Sequence, residues 1–578
     1  VSDKSHLISK VTEAFYESRE SMANRRDAFL RMWRNYKQVY ESDDEAMFTN
    51  NVFSTMTLET VETFRPYLSQ IPPDMTVLPK PGLPDVASLE AAKRVENWQR
   101  SQWYCQQMDK KRKSVSFFGL LYGMGIAYHF YRKEDRDLSR KVFNPDGTVT
   151  IKTEKSTVYD DPDIEVVDIL NDFFPDPYGR SVEECNYIVY RRIIRKDEMI
   201  ARSKGEDPWY TNTPAVDDLG ALYDDYDDGA SRNDLDRFGD AKEIQEIAKQ
   251  NLVETLEYWE DDRLIIVANR SHVLRDSENP YWRAKKKPFS VFEDYDNPHE
   301  FWAVGEGEIL LKPQHELNWL KRSRVDFTKR KLRPGFFTPT GSGVDMAGYY
   351  SEEGYTIETP MPDAIRPIQF PDAIEGLSFQ AEQDLKLDGE NATGATPLMK
   401  GNIQVGMNTA TEGRIQQGNA MSRANYKADN MNEFLKSWME WNVALAAQYY
   451  EAERLFRVKT EYGFEVHRLL YEDLVRGMDY EIASASSLPL TRDDKLMMAD
   501  VMFSRFYQLP EIDKHQLLTV VMRLMDIPNR QGLLKPREVI MQEQAGAMAA
   551  AQQQQADLQN QELLRGIMDK GLFGGGEE

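Results

Sequence analysis

Between Gly305 and Phe456 the chain runs helix, a β segment crowded with Pro and Gly, helix, an almost uncharged loop, and a very long helix. The first helix, Pro313 to Leu332, leads into seven cations packed within Lys321–Arg333 (Lys321, Arg322, Arg324, Lys329, Arg330, Lys331, Arg333) against one anion, Asp326. The second, about Asp372 to Asp388, carries Asp372, Glu375, Glu382, Asp384 and Asp388 against Lys386 alone. A monomer has little use for two short helices of opposite charge joined by a compact β excursion. Copies of such a hairpin pair best side by side in a ring. The order predicts an assembly part more than an active site.

The segment joining the two helices holds Pro334, Gly335, Pro339, Gly341, Gly343, Gly348, Gly354, Pro360, Pro362, Pro367 and Pro371. That density of breakers forbids a long helix and predicts a small β unit, with strands at Phe336–Thr338, Tyr355–Thr359 and Ile365–Phe370. Residues 391–411 form a Gly/Asn/Thr-rich loop whose only charge is Lys400. Thr409-Ala-Thr-Glu412 fits a capping box, in which hydroxyl and carboxylate take up orphan amides at a helix start. The helix that follows is predicted to reach about Leu455, on the order of 65–70 Å at 1.5 Å per residue. Met431, Phe434, Leu435, Trp438, Trp441, Leu445 and Tyr449 make its apolar stripe.

Upstream, residues 1–70 read as helical from the three- and four-residue spacing of Phe15, Phe29, Met32, Trp33, Tyr36 and Tyr40. A second helical stretch, about Val86 to Gly123, precedes an apolar strand-like run, Ile126–Tyr131. Strands are then predicted at Thr148–Lys152, Ile164–Ile169, Tyr187–Ile194, Leu252–Trp259, Leu264–Ala268 and Phe289–Phe292. Residues 205–240 are polar and acid-rich, the pattern of a surface loop. Asp224–Asp228 lacks the glycine and closing glutamate of an EF-hand. Strands at Arg457–Thr460, Phe464–Leu469 and Tyr480–Ile482 close the body. Helices follow at Leu496–Tyr507, His515–Met525 and from Arg537 into an Ala/Gln-rich tail.

A formal charge of −24 argues against wrapping nucleic acid, whose affinity comes from cationic neutralisation, and is compatible with DNA sliding past. Two cysteines, Cys105 and Cys185, give neither a disulfide framework nor a metal quartet, so a reducing compartment is expected. No apolar run approaches the roughly 20 residues that span a bilayer. The first residues lack the basic-then-apolar pattern of a signal peptide, so export by that route is not expected. No Gly-Lys dipeptide occurs, which removes the P-loop, and the seven histidines show no metal-protease spacing. Gly341-Ser342-Gly343 is not a nucleophile elbow. No catalytic residue, cofactor or metal site is expected.

Four stretches resemble the portal proteins of tailed bacteriophages, of the short-tailed type: Leu120-Leu-Tyr-Gly-Met-Gly-Ile-Ala-Tyr-His129; Phe173-Phe-Pro-Asp-Pro-Tyr178 with Tyr187–Arg192; Phe301-Trp-Ala-Val-Gly-Glu-Gly-Glu308 with Gln314-His-Glu-Leu-Asn318; and Ala395-Thr-Pro-Leu-Met-Lys-Gly401 leading into Thr409–Arg414. The resemblance implies an α+β portal fold. Residues 1–304 would be the wing, 305–332 and 372–390 the two stem helices, and 333–371 the clip. Residues 391–411 would be the tunnel loop, 412–490 the spine helix and strands of the wing, and 491–578 a helical crown with a flexible tail. It further implies a non-enzymatic ring of twelve at one capsid vertex, assembled in the bacterial cytoplasm beside the major capsid protein. Such a ring passes double-stranded DNA during packaging and ejection, and docks terminase and later head-completion or tail proteins. The clip aromatics Phe336, Phe337, Tyr349, Tyr350 and Tyr355 would meet those partners.

Within that frame the residues give two expectations. Arg322, Arg324, Lys329 and Arg330 of the basic helix pair with Glu375, Glu382 and Asp384 of the acidic helix, in the same subunit or its neighbour, setting register more than stability. Asn391, Thr393, Lys400, Asn402, Gln404 and Asn408 face the DNA, Lys400 making a sparse positive collar that touches phosphate without holding it. The competing readings are a large cytoplasmic enzyme with a helical dimerisation arm and a scaffold built on the long helix. Oligomer size separates them.

Overall fold

The structure, a computed structural model, describes residues 2–40, 48–69, 73–80, 86–143, 149–204, 208–212, 252–332, 336–337, 366–367, 373–395, 397, 399–400, 410–460, 463–482, 492–507, 517–518 and 521–522. The fold is mixed α+β. The chain divides into two compact units, Val1–Phe456 with His467–Leu488 and Arg457–Val466 with Pro489–Glu578. In the second, the helix Arg492–Phe506 is described. The Ala/Gln-rich tail and the acidic stretch 213–251 lie outside the described residues.

The first unit opens with helices Ser2–Ser21, Ala23–Lys37, Met56–Ser69, Val86–Cys105 and Met108–Tyr122. They bury the aromatic and aliphatic residues whose spacing marks them as helical, among them Phe15, Phe29, Met32 and Trp98. A five-stranded antiparallel sheet follows: Phe173–Pro175, Ile188–Arg195, Leu252–Trp259, Arg263–Ala268 and His272–Glu278, in that order. Its inner strand Leu252–Trp259 is buried on both faces, so its two acids need partners. Glu254 takes Arg191 at 2.7 Å and Arg270 at 3.1 Å. The last strand, His-Val-Leu-Arg-Asp-Ser-Glu, has too little apolar alternation to be read as a strand from sequence.

The largest departure from expectation is a long β ribbon. Ile126–Tyr131 is only the root of a strand that runs Met124–Phe143, and the strands expected at Thr148–Lys152 and Ile164–Ile169 are one strand, Val149–Val166. The two pair antiparallel from Ala127↔Val166 to Phe143↔Val149 with one irregularity at Glu134/Asp135. The charges from Arg132 to Lys141 hid it, because a ribbon with two wet faces has no period-2 apolar signal. Phe289–Glu293 pairs with the root, Met124↔Glu293 to Tyr128↔Phe289.

The long helix spans Ala410–Tyr449, about 60 Å at the standard rise. It stops short of the expected Leu455 because Arg454–Thr460 is a strand, hairpinned to Gly463–Leu469. Met431, Phe434, Leu435, Trp438, Trp441 and Leu445 are buried as their stripe predicts. A polar ladder fixes the helix against Val86–Cys105. Gln99 Nε2 donates to the Met439 carbonyl at 2.8 Å, Asn442 Nδ2 to Gln99 Oε1 at 3.0 Å, and Trp438 Nε1 to Gln106 Oε1 at 2.8 Å. Each of these buried donors finds its acceptor across the contact, a backbone carbonyl for Gln99 and side-chain oxygens for Asn442 and Trp438, which specifies one register of packing.

Candidate assembly site

The basic helix is Leu311–Leu332 and the acidic helix Ala373–Thr393, each a little longer than its sequence signals indicate. They pack antiparallel: Leu310, just before the basic helix, lies near Gly389, Leu317 packs with Leu385, and Arg324 reaches Glu382 and Phe379. Arg324 grips Glu382 with Nε at 2.6 Å and a terminal nitrogen at 3.0 Å, and the Glu382 side chain is almost wholly buried. A bidentate, charge-assisted pair of this kind fixes orientation as well as contributing energy.

Arg322 does not join that pairing. It is buried on the opposite side, donates Nε to the Asn50 carbonyl at 3.1 Å and lies over the rings of Tyr40 and Phe48. It belongs to a polar stripe at four-residue spacing, Gln314, Asn318, Arg322 and Asp326, all on one helix face. Each reads a residue between Thr49 and Thr57, the stretch that leads into the first turn of the helix Met56–Ser69. Gln314 Oε1 accepts from the Thr57 amide at 3.1 Å and Asn318 Oδ1 from the Ser54 amide at 2.8 Å. Asp326 accepts from the Thr49 amide at 3.0 Å, the Thr49 hydroxyl at 2.6 Å and Asn50 Nδ2 at 2.7 Å. Desolvation pushes the Asp326 carboxyl up, but the bonds from Thr49 and Asn50 outweigh it and hold it down at about 2. The four-residue polar repeat stands in the sequence and marks this strap; charge counting passes over it.

Lys329 Nζ lies 3.5 Å from the Thr49 carbonyl and 3.8 Å from Asp326, while Arg330 and Asp384 are exposed. The Glu375 side chain lies outside the described residues. Phe336 and Phe337 pair antiparallel with Pro367 and Arg366; the rest of the strands expected at Phe336–Thr338, Tyr355–Thr359 and Ile365–Phe370 lies outside the described residues. Tyr349, Tyr350 and Tyr355 lie outside the described residues, as do Asn402, Gln404, Asn408 and the Thr409 capping box.

At the start of the loop the structure alters two expected roles. Thr393 is buried, still helical, and gives its hydroxyl to the Gly389 carbonyl at 2.9 Å. The helix ends only at Gly394, whose φ of +77 is the left-handed C-terminal cap that glycine adopts without strain. Lys400 is not an open cation: Nζ sits 2.9 Å from Glu390 and 3.5 Å from Glu59, with its side chain largely covered. Asn391 is exposed, and its carbonyl and that of Ala392 take the Arg423 guanidinium at 3.1 and 2.5 Å. A cation on those terminal carbonyls is favoured by the helix dipole.

Arg423 begins a series on the long helix that sequence reasoning missed. Tyr426 bonds Asp296, and Asn430 Nδ2 donates to the Glu293 carbonyl at 3.0 Å. Between them Lys427, fully buried, meets Asp294 at 2.5 Å and Glu306 at 2.9 Å. Glu306 starts the short helix Glu306–Ile309 that leads into the basic helix, and Asp294 follows the strand Phe289–Glu293. The same junction holds two of the glycine stretches face to face. Gly123, at φ +98, has the Ala303 carbonyl oxygen 2.1 Å from where a Cβ would stand. No other residue fits there.

The described residues form a mixed α+β chain with two antiparallel, oppositely charged helices, the acidic one bound at its terminal carbonyls by Arg423 of the long helix. Residues 80–564 match the family described as phage SU10 portal protein. That span is most of the chain, and the chain belongs to this family of tailed-phage portal proteins. The family is structural rather than enzymatic. Among curated proteins nothing matches. No helix among the described residues is long and apolar enough to cross a membrane, and no group of three or more His, Cys, Asp or Glu there could hold a metal ion.

Proposed function

We propose that the chain is the portal subunit of a tailed phage. Twelve copies close into a ring at one capsid vertex, beside the major capsid protein, and form the channel for double-stranded DNA in packaging and ejection. The ring assembles in the host cytoplasm, docks terminase while the head fills and receives head-completion or tail adaptor proteins afterwards. The observation that carries this reading is the family match over residues 80–564, which includes both charged helices, the loop between 394 and 410, and the long helix.

The geometry supports it from the surface. Trp319 and Leu332 on the basic helix, and Leu377, Phe379 and Leu387 on the acidic one, stay exposed in the single chain. Apolar side chains repeated along two adjacent helices mark an interaction face. With Arg324 and Glu382 matched inside one chain, that apolar face and the exposed charges Arg330 and Asp384 are what a neighbouring copy would meet. Residues 395–409 would line the passage with amides and hydroxyls, Lys400 serving as a brace to Glu390 and Glu59. A net charge of −24 keeps duplex from adhering to the walls.

Light scattering or mass photometry on the purified chain tests the assembly. Twelve copies of 67.0 kDa give a particle of about 0.8 MDa. A dimer-sized particle would favour the enzyme reading, and open polymers the scaffold.

A further inference from the structure

We propose that Lys427, Asp294 and Glu306 form a proton-operated latch, holding the start of the basic helix against the body while one proton is retained and releasing it when both carboxylates ionise. The three groups come from three separate elements and none is reached by solvent. Two carboxylates face a single ammonium, so full ionisation leaves a surplus negative charge in a dry site. Geometry shows the same deficit: Asp294 Oδ2 and Glu306 Oε2 are buried without a hydrogen-bond partner. A bare carboxylate oxygen in such surroundings is costly, and one proton added to the pair removes the surplus.

Lys427 is the cation that touches both carboxylates; Arg423 adds only a weaker electrostatic pull on Glu306. The helix Met56–Ser69 presents the Phe64 ring, 5.3 Å from Lys427 Nζ. The helix Met108–Tyr122 presents the Leu121 backbone against Gly307. Tyr295 lies with its ring 3.7 Å from Lys427 Nζ and donates to Glu306 at 3.1 Å. Tyr426 is turned to Asp296, and Arg423, exposed, is bound to the carbonyls of Asn391 and Ala392. Burial lifts Asp294, Lys427 pulls it back and Glu306 lifts it again, leaving it at about 7; burial lifts Glu306 against the pull of Lys427. Opening the junction admits water, both carboxylates ionise, and the proton leaves. Rising pH therefore favours a loosened junction between the long helix and the basic helix. This coupling is internal to one chain and does not require the ring.

Amide hydrogen exchange on the full chain, followed in peptides covering 301–312 from pH 6 to pH 9 and corrected for intrinsic exchange, reads the latch. Wild-type protection is expected to fall at least about tenfold across that range, while Asp294→Asn stays flat, since a group that cannot ionise has no proton to lose. Circular dichroism confirms that the variant folds; should it not, Glu306→Gln serves in its place with the same expectation. Flat wild-type protection, or an equal fall in the variant, overturns the latch. A chain that stays monomeric defeats the proposed function and still reports on the latch.

Discussion

Arg324 and Glu382 join the basic and acidic helices inside a single chain, nitrogen to oxygen at 2.6 and 3.0 Å, with the carboxylate buried and the guanidinium partly wet. Removing the cation strands a buried charge. Arg324→Ala is expected to lower stability by about 1–3 kcal/mol, discounted for the wet side of the pair. The double variant Arg324→Met with Glu382→Met should recover most of that, because no charge is then left unpaired. Urea denaturation of Arg324→Met, Glu382→Met and the double, read as a cycle, checks it.

Lys400 sits between Glu390 and Glu59, tying the loop to the acidic helix and to the helix Met56–Ser69. Lys400→Ala is expected to cost roughly 1 kcal/mol, and Glu390→Gln should make part of that loss redundant. Additive losses in the two variants would return Lys400 to the list of DNA-facing cations.

Gly123 gives the sharpest structural prediction. Its positive φ and the Ala303 oxygen at 2.1 Å from a would-be Cβ mean that Gly123→Ala must move backbone. Loss of more than about 3 kcal/mol is expected, seen as insoluble protein or a collapsed thermal transition. Gly376 on the acidic helix has open space around it, and Gly376→Ala should be neutral or slightly stabilising.

Asp326 should shape the acid limb of stability. Its carboxyl is held at about 2 against an ordinary 3.8, chiefly by the bonds from Thr49 and Asn50 that overcome desolvation. A depressed folded value contributes stability that is whole above the unfolded pKa and lost as pH falls through the folded one. That window runs from roughly pH 4 down to pH 2. Asp326→Asn should destabilise at neutral pH and flatten the pH dependence in the window, checked by denaturant titrations at several acid pH values.

Sequence made the charge contrast of the two helices visible because Lys321–Arg333 and Asp372–Asp388 are local runs. It made the Trp438 and Trp441 stripe visible because a helix face has a period. Partners distant along the chain left no such trace. Nothing near Lys400 points to Glu59. Lys427 leaves one local trace, a lone cation four residues before Met431 on the apolar side of the long helix, but nothing there points to Asp294 or Glu306. Thr393 was assigned to the loop for its polarity, whereas Gly394 next to it marks the helix end. Charge alone groups Arg322 with the cations expected to pair with the acidic helix, although its four-residue phase with Gln314, Asn318 and Asp326 turns it to the segment around Asn50. The ribbon reads short in sequence because Lys133 and residues 135–139 are exposed on both faces and leave no apolar alternation.

Electron microscopy of the purified chain tests the central claim most directly. The account predicts closed rings with an open centre wide enough for a duplex and residues 395–409 facing that opening. Monomers at every concentration, or closed particles with those residues sealed away from any passage, would contradict it.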